Sequence, residues 1–240
     1  MTYLPGEKSS SVLFDMDLEQ GLNAILNMGN AKRKRKLFRR QSRIAEQYGG
    51  FELKSDHTSS EKHALMEDFY EQKSRRFKEL GVTDVFAPDT AKAFIRGLCD
   101  SPINDNIELL RLFELKVGGK TRALYGCAMH HDYCQAWINS VTYDDFAEES
   151  PGEMVLYLMI ERLIEEGYSK LDLGIGAERY KYSWCREHKP LFDVLMPLSW
   201  YLKPYTLALI LTVRLKAKLR NDQRLWKHVR KIRMFLGHFS

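Results

Sequence analysis

The stretch Lys170-Leu-Asp-Leu-Gly-Ile-Gly-Ala-Glu-Arg-Tyr-Lys-Tyr-Ser-Trp184 decides the fold of this chain. Its first residues alternate like a short strand, in which Leu171, Leu173 and Ile175 share one face. Asp172 lies on the opposite face. Two glycines follow, and glycines at a strand end let the backbone approach a bound group closely. The pattern predicts a ligand site at this strand end, and a strand followed by a solvated turn is the competing interpretation.

A helix with a well-marked start precedes this strand. Ser150 is predicted as its N-cap, Pro151 as its first residue and Glu153 as the residue that closes a capping box. An apolar stripe at helical spacing follows, made of Leu156, Met159, Ile160, Leu163 and Ile164. Because Gly152 has no side chain to cover the free N–H groups of the first turn, this helix start suits a phosphate. A capped helix with nothing bound is the alternative.

Three strands are predicted before this helix, over residues 107–117, 122–130 and 133–141. A further apolar strand is predicted at Leu191 to Leu198. The order strand, strand, strand, helix, strand, strand predicts an α/β (α+β) fold with a mixed sheet flanked by helices.

The first hundred residues read as helical, with a loose segment at 1–10. Helices are predicted at 18–28, 32–48, 60–80 and 90–99. The second of these is strongly basic, with eight Lys or Arg from Lys32 to Arg43. A solvated helix face is the favoured interpretation, and contact with polyphosphate or nucleic acid is the alternative. Because no RNA-reading motif accompanies the basic helix, nucleic acid is not predicted as a partner.

Composition places the chain among globular proteins of the cytoplasm. Its 240 residues are 44% hydrophobic, which is ample for a core. No secretory signal and no apolar run of about 20 residues is recognised. The cysteines show no Cys-x-x-Cys spacing, which favours reduced thiols at Cys99, Cys127, Cys134 and Cys185. His130 and His131 are expected to be solvated, and no metal site is predicted.

The C-terminal segment carries the positive charge of the protein. Residues 203–240 hold ten Lys or Arg and one acid, Asp222, so this tail is +9 and the remainder of the +5 chain is −4. Two amphipathic helices are predicted, split near Asn221. Their cationic faces favour peripheral contact with an anionic membrane. A tail that folds back on the domain is the equal alternative.

The order of elements resembles the GNAT acyltransferase fold, with a mostly antiparallel sheet. Three passages resemble its cellulose-biosynthesis-associated (CelD-like) branch, which is distantly similar to FemAB-type transferases. They are Lys32–Arg40 followed by Gly49-Gly50, Ser150-Pro-Gly152, and Asp172-x-Gly174-x-Gly176-x-Glu178-x-Tyr180-Lys181-x-x-Trp184. The resemblance covers about residues 12–200.

The resemblance also implies a domain organisation. Members of this branch often carry an upstream GNAT-like half, of which this chain keeps a remnant, with Ser11 to Met16 as its last strand. The predicted units are therefore 1–50 (remnant and basic helix), 51–202 (acyltransferase domain) and 203–240 (basic tail).

The resemblance implies an acyl-CoA-dependent N-acyltransferase. The thioester is expected between the strand at 133–141 and the strand that begins at Lys170. The pantetheine arm is expected to pair near three residues, Asn139, Ser140 and Val141. The pyrophosphate is expected at the helix start, on Ser150, Gly152 and Glu153. The amine acceptor is expected beside Gly174, Gly176 and Trp184.

Direct attack of an amine on the thioester needs an oriented amine, a proton acceptor and donors for the oxyanion. Asp172 or Glu178 can accept the proton. Lys181 can orient an acidic group or help the thiolate leave, and Tyr180 can supply the proton instead. The residues do not rank these roles.

The predicted function is N-acylation linked to exopolysaccharide, cellulose or cell-envelope biosynthesis. Two alternatives stay open. One is a FemAB-like aminoacyl transferase that uses aminoacyl-tRNA, which the basic helix favours. The other is a non-catalytic GNAT-like module at a membrane polysaccharide assembly, which the short front half and basic tail favour.

Overall fold

A seven-stranded sheet forms the centre of the molecule. The computed structural model describes residues 7–101, 107–176, 178–185, 189–195, 197 and 199–221. The strands are β1 Glu7–Asp17, β2 Phe51–Lys54, β3 Ile107–Val117, β4 Lys120–His130, β5 Tyr133–Val141, β6 Lys170–Ile175 and β7 Lys189–Asp193. They lie in the order β2-β3-β4-β5-β6-β1-β7. Only the β5–β6 pair is parallel among the described strands, which confirms the predicted mixed, mostly antiparallel sheet.

Helices cover both faces of the sheet. They are α1 Gly21–Met28, α2 Ala31–Gln47, α3 Ser59–Leu80, α4 Asp89–Asp100, α5 Pro151–Glu165, α6 Arg179–Trp184 and α7 Lys203–Asn221. Helices α1, α2, α5 and α6 contribute to the core on one face, in which Phe14, Phe113, Met159 and Trp184 are buried. Helices α3 and α4 form a second core on the other face, around Phe69 and Leu112.

Local sequence signals set several of these boundaries. Thr58 and Glu61 form a reciprocal capping box at the start of α3, which satisfies two backbone N–H groups. Gly81 ends α3 in the left-handed conformation, where a residue without Cβ is unstrained. The predicted helices at 32–48, 60–80 and 90–99 and the predicted hairpin strands are confirmed to within two residues.

Other boundaries were predicted wrongly. Residues 7–10 are not loose, because β1 begins at Glu7 and pairs with both β6 and β7 inside the sheet. The edge strand β2, which pairs with β3, was not predicted. The last strand ends at Asp193 instead of Leu198, whose placement lies outside the described residues. The predicted second tail helix also lies outside them, and the division into units at 50 and 202 stays a prediction.

The predicted capping box at the start of α5 is wrong. A 3-10 turn, Ala147–Glu149, runs directly into the helix and places Ser150 in the left-handed conformation, with φ of 56°. In this conformation the Ser150 side chain makes no cap hydrogen bond. Glu153 instead accepts a hydrogen bond from the indole of Trp184 at 2.8 Å. The contact between Glu153 and Trp184 thus takes the place of the predicted contact between Glu153 and the N-cap.

Candidate active site

The sheet opens into a wedge between β5 and β6. The two strands pair from Tyr133–Lys170 as far as Gln135–Asp172 and then separate. A bulge lies at the same level, because Gly126 of β4 faces Ile138 whereas Cys127 faces Ala136, which leaves out one residue of β5. Bulges bend a strand and are frequent beside active sites. Beyond the bulge, the edge of β5 at 139–141 faces the wedge.

The loop at the end of β6 is held by Asp172. This carboxylate is 3% exposed and accepts hydrogen bonds from the Tyr133 hydroxyl at 2.7 Å and the Gly174 backbone N–H at 2.6 Å. Burial, and then the bond to Asp172, raise the pKa of Tyr133 well above its usual range. Gly174 has φ of 76°, which breaks the strand alternation, so that Ile175 is exposed and does not share the buried face as predicted.

Lys181 closes the same loop from the following helix. Its buried ammonium donates to the carbonyl of Ile175 at 3.1 Å and to that of Gly174 at 3.5 Å. It also pairs with Glu178 at 2.9 Å. Glu178 lies against Gly176, whose Cβ would come within 2.6 Å of the carboxylate if it had one. Lys181 and Asp172 thus have protein partners that fix the loop, whereas the Glu178 carboxylate is about half exposed.

Tyr180 is the predicted residue that reaches across the wedge. Its hydroxyl accepts a hydrogen bond from the Asn139 side chain of β5 at 3.5 Å and shares a hydrogen bond with the hydroxyl of buried Tyr125. Burial raises the pKa of Tyr180, and the hydrogen bond with Tyr125 opposes the rise. Tyr180 therefore brings a hydroxyl group to the wedge, between Asn139 of β5 and Tyr125 of β4.

The start of α5 forms one end of the wedge and is rich in acids. Gly152 packs against β5, because a Cβ there would lie 3.2 Å from Val141. Residues 142–153 contain five carboxylates and no Lys or Arg. Arg122 pairs with two of them, Asp144 and Asp145, and Arg40 pairs with a third, Glu149. The phosphate site predicted at Ser150, Gly152 and Glu153 thus lies in an acidic segment, in which three of the five carboxylates are paired with arginine.

Helix α2 is tied to the same region through Lys34. The buried ammonium of Lys34 lies 3.6 Å above the ring of Trp184 and donates to Ser183 at 3.2 Å. Ser183 donates in turn to the carbonyl of Tyr180 at 2.7 Å. Burial lowers the pKa of Lys34 to about 8, and the charge of Glu153 opposes this. Trp184, predicted to contact substrate, is 1% exposed and instead anchors α6 in the core.

Two side chains of α3 at the wedge were not predicted. Gln72 donates to Thr142, just after β5, at 3.2 Å, and its side-chain oxygen is buried without a partner among the described residues. Lys73 lies near the rings of Phe69 and Phe77 and interacts electrostatically with Glu178. Burial lowers the pKa of Lys73. In sequence these residues belong to an ordinary polar helix face, and only the packing of α3 beside β5 reveals them.

Comparison with known proteins defines the class. The chain belongs to the acetyltransferase (GNAT) domain family, whose model matches residues 32–182. No curated protein matches the chain. It is therefore an acyltransferase-fold protein whose wedge lies where the family resemblance placed it.

Solved structures share this fold at low identity. The C-terminal domain (DUF2156) of a putative lysylphosphatidylglycerol synthetase from Agrobacterium fabrum matches with a TM-score of 0.54 and 13% identity, over 86% of this chain and 65% of that one. L-PGS from Bacillus licheniformis matches with 0.52 and 13%, over 88% and 66%. FemX matches with 0.50 and 9%, over 83% and 58%. The chain thus spans less than two thirds of these proteins.

Three further properties of the described residues concern metal ligands, cysteines and membrane-spanning helices. Within the described residues, no group of three or more His, Cys, Asp or Glu is placed to hold a metal ion. The four cysteines are free and buried, and the side chains of Cys127 in β4 and Cys134 in β5 interact. No described helix is long and apolar enough to cross a membrane.

Proposed function

We propose that this protein transfers an aminoacyl group from the 3′ end of a charged tRNA to an amine acceptor. This was the alternative to acyl-CoA in the sequence-based prediction. It keeps the acyl-transfer chemistry of the GNAT family and changes the donor. The fold shared with FemX and with lysylphosphatidylglycerol synthetases is consistent with aminoacyl transfer.

The negative charge near the start of α5 favours aminoacyl-tRNA over acyl-CoA as the donor. The segment that leads into α5, residues 142–153, carries five carboxylates, of which three are paired with Arg40 or Arg122 among the described residues and a fourth, Glu153, interacts with Lys34. Carboxylates close to a helix start oppose the binding of a phosphate there. An aminoacyl ester places no pyrophosphate at this position.

The wedge supplies what ester aminolysis needs. The acceptor amine attacks the ester carbon, a C–N bond forms, and the C–O bond to the ribose breaks. The amine proton passes to Glu178, whose carboxylate is about half exposed, or to water. Tyr180, whose hydroxyl lies at the wedge beside Asn139, protonates the departing ribose oxygen. Asp172 and Lys181 hold the loop that carries these groups.

Acyl-CoA is the second candidate donor, and one observation favours it. The edge of β5 at Asn139, Ser140 and Val141 no longer pairs with β6 and can pair with an extended chain such as pantetheine. The family resemblance assigned this edge to pantetheine. In this case Tyr180 would protonate the leaving thiolate.

The wider role stays a proposal as well. Membership of the cellulose-biosynthesis-associated branch, and action in polysaccharide or cell-envelope synthesis, are inferred from sequence resemblance. We infer a cytoplasmic protein that touches anionic membranes through residues 203–240. In α7 the side chains of Leu207, Leu211 and Leu215 are more than half exposed, as membrane contact requires.

A donor panel tests the proposal. The purified chain is incubated with tRNA charged with labelled amino acids, or with labelled acetyl-CoA or palmitoyl-CoA, plus a heated extract of lipids and cell-wall precursors as acceptor. We expect label to leave aminoacyl-tRNA and to enter an amide that resists mild base. Consumption of an acyl-CoA alone would transfer the assignment to the second candidate. If no donor is consumed, both candidates fail.

A further inference from the structure

A second surface of the molecule, on α2, is strongly cationic. Six basic side chains of α2 line a shallow depression of about 660 Å³: Lys32, Arg35, Lys36, Arg39, Arg40 and Arg43. We call this row of side chains the α2 ridge. At a rise of 1.5 Å per residue, the ridge is about 16 Å long. This length accommodates several phosphates of a nucleic-acid backbone.

Most of these charges have no acidic partner. Arg40 pairs with Glu149 at 2.8 Å, and Arg35 donates to Asn23 at 2.9 Å. Within the described part of the chain, the other four cations make no ion pair, and all four are exposed. The ridge therefore presents an uncompensated positive surface, which attracts polyanions.

The opposite side of α2 is committed to the core. Phe38 stacks on Tyr157 of α5 with ring centroids 4.1 Å apart, and Ala45 is fully buried. A helix that binds a membrane surface needs an exposed apolar face beside its charges. Because α2 exposes charge alone, its chemistry fits a phosphate backbone better than a lipid bilayer.

We propose that the α2 ridge binds the phosphate backbone of the RNA that carries the aminoacyl group. The inference rests on the proposed function and adds the docking surface for its donor. Hydrogen bonds connect the helix that carries the ridge to the proposed proton donor. Lys34 on this helix donates to Ser183, which donates to the Tyr180 carbonyl. Gln41 of α2 also donates to the Ser150 carbonyl at 3.0 Å. RNA held on α2 is thus held beside the wedge.

Binding of a fluorescein-labelled RNA hairpin with a single-stranded 3′ end, followed by anisotropy over a series of salt concentrations, tests the inference on the full chain. The ridge variant removes three exposed cations that have no described ion pair: Lys36→Gln, Arg39→Gln and Arg43→Gln. The control removes three exposed cations of α3 and α4: Arg75→Gln, Lys78→Gln and Arg96→Gln. Both variants carry the same net charge, so the basic tail affects them equally.

The ridge variant should bind the hairpin at least about tenfold more weakly, and its plot of log affinity against log salt should be shallower by about 3. The control should keep the affinity and slope of the wild type to within about twofold. Equal affinity and slope in ridge and control variants would overturn the inference.

Two other measurements separate the competing explanations. If the ridge variant loses binding to vesicles of phosphatidylglycerol and phosphatidylcholine while keeping RNA binding, the ridge is a membrane surface and the inference is wrong. If RNA binding is lost as expected but the wild type transfers no aminoacyl group, the proposed function fails while the docking surface stands. If the wild type transfers and the ridge variant has an unchanged KM for charged tRNA, only the docking surface fails.

Discussion

Replacing Tyr180 by Phe separates chemistry from packing at the wedge. The substitution removes the hydroxyl that we assign as proton donor and keeps the ring. A group that transfers a proton in the rate-limiting step contributes about 10²–10⁴-fold. We therefore expect Tyr180→Phe to slow single-turnover transfer by at least about 100-fold, measured as loss of label from the donor at saturating protein.

The same change also affects stability, by an amount that the structure bounds. The Tyr180 hydroxyl shares a hydrogen bond with Tyr125, which is 4% exposed, so its loss leaves a buried hydroxyl without a partner. Such a group costs about 1–3 kcal/mol. For a chain of this size each kcal/mol lowers Tm by about 2–4 °C. The melting temperature should fall by about 2–12 °C.

A second substitution distinguishes the two effects. In the double variant Tyr125→Phe, Tyr180→Phe the unpaired Tyr125 hydroxyl is also removed, so the double variant should melt above the Tyr180→Phe single variant. Its transfer rate should remain as slow as that of the single variant, because neither variant contains the Tyr180 hydroxyl that we propose as proton donor. A folded Tyr180→Phe protein with the wild-type rate refutes the assignment, as does a double variant that regains rate together with stability.

Three further predictions test the surroundings of the wedge. Lys73→Gln should reduce transfer with little change in Tm, because it removes a positive charge that interacts electrostatically with Glu178, whereas the control Lys78→Gln should do neither. Lys34 has a folded-state pKa of about 8 against 10.5 for the free side chain, so the unfolded chain binds more protons between these values. The contribution of Lys34 to the free energy of unfolding should therefore rise from pH 8 to pH 10.5. In urea titrations, the change in this free energy between the two pH values should be more positive for the wild type than for Lys34→Met. Leu207→Gln with Leu211→Gln should abolish sedimentation with anionic vesicles, which salt should release from the wild type, and unchanged sedimentation would remove α7 as the membrane contact.

Periodic patterns predicted most of the framework. The hairpin strands and helices α2 to α5 were found because their apolar positions repeat at spacings that strands and helices impose. The edge strand β2 escaped because four residues are too few to show alternation. The interior position of β1 could not be predicted, since pairing with β6 and β7 depends on residues more than 150 positions away.

The sequence predicted which residues lie near the candidate site but not which contacts they make. It predicted that Asn139, Tyr180 and Gly152 lie in one region, and the structure places them there. It did not show that Trp184 is core, because an indole beside a glycine-rich turn looks the same whether it faces substrate or Glu153. Gln72 and Lys73 had no local signal at all. Which contacts a polar side chain makes is decided by tertiary packing, and a single sequence does not record it.

The placement of Tyr180 depends on contacts far outside its own helix. Helix α6 has six residues, and a helix this short is not stable alone. Three contacts with other elements hold it: Lys34 of α2 donates to Ser183, Trp184 donates to Glu153 of α5, and Lys181 donates to the carbonyls that end β6. Each of these polar contacts stabilises the short helix, which is not stable alone. Because buried polar contacts have strict geometry, they also fix its position. Because the contact from Lys34 belongs to the helix that bears the cationic ridge, a donor bound there contacts the element that positions the proposed proton donor. The two proposals thus place substrate binding and proton transfer on one structural support.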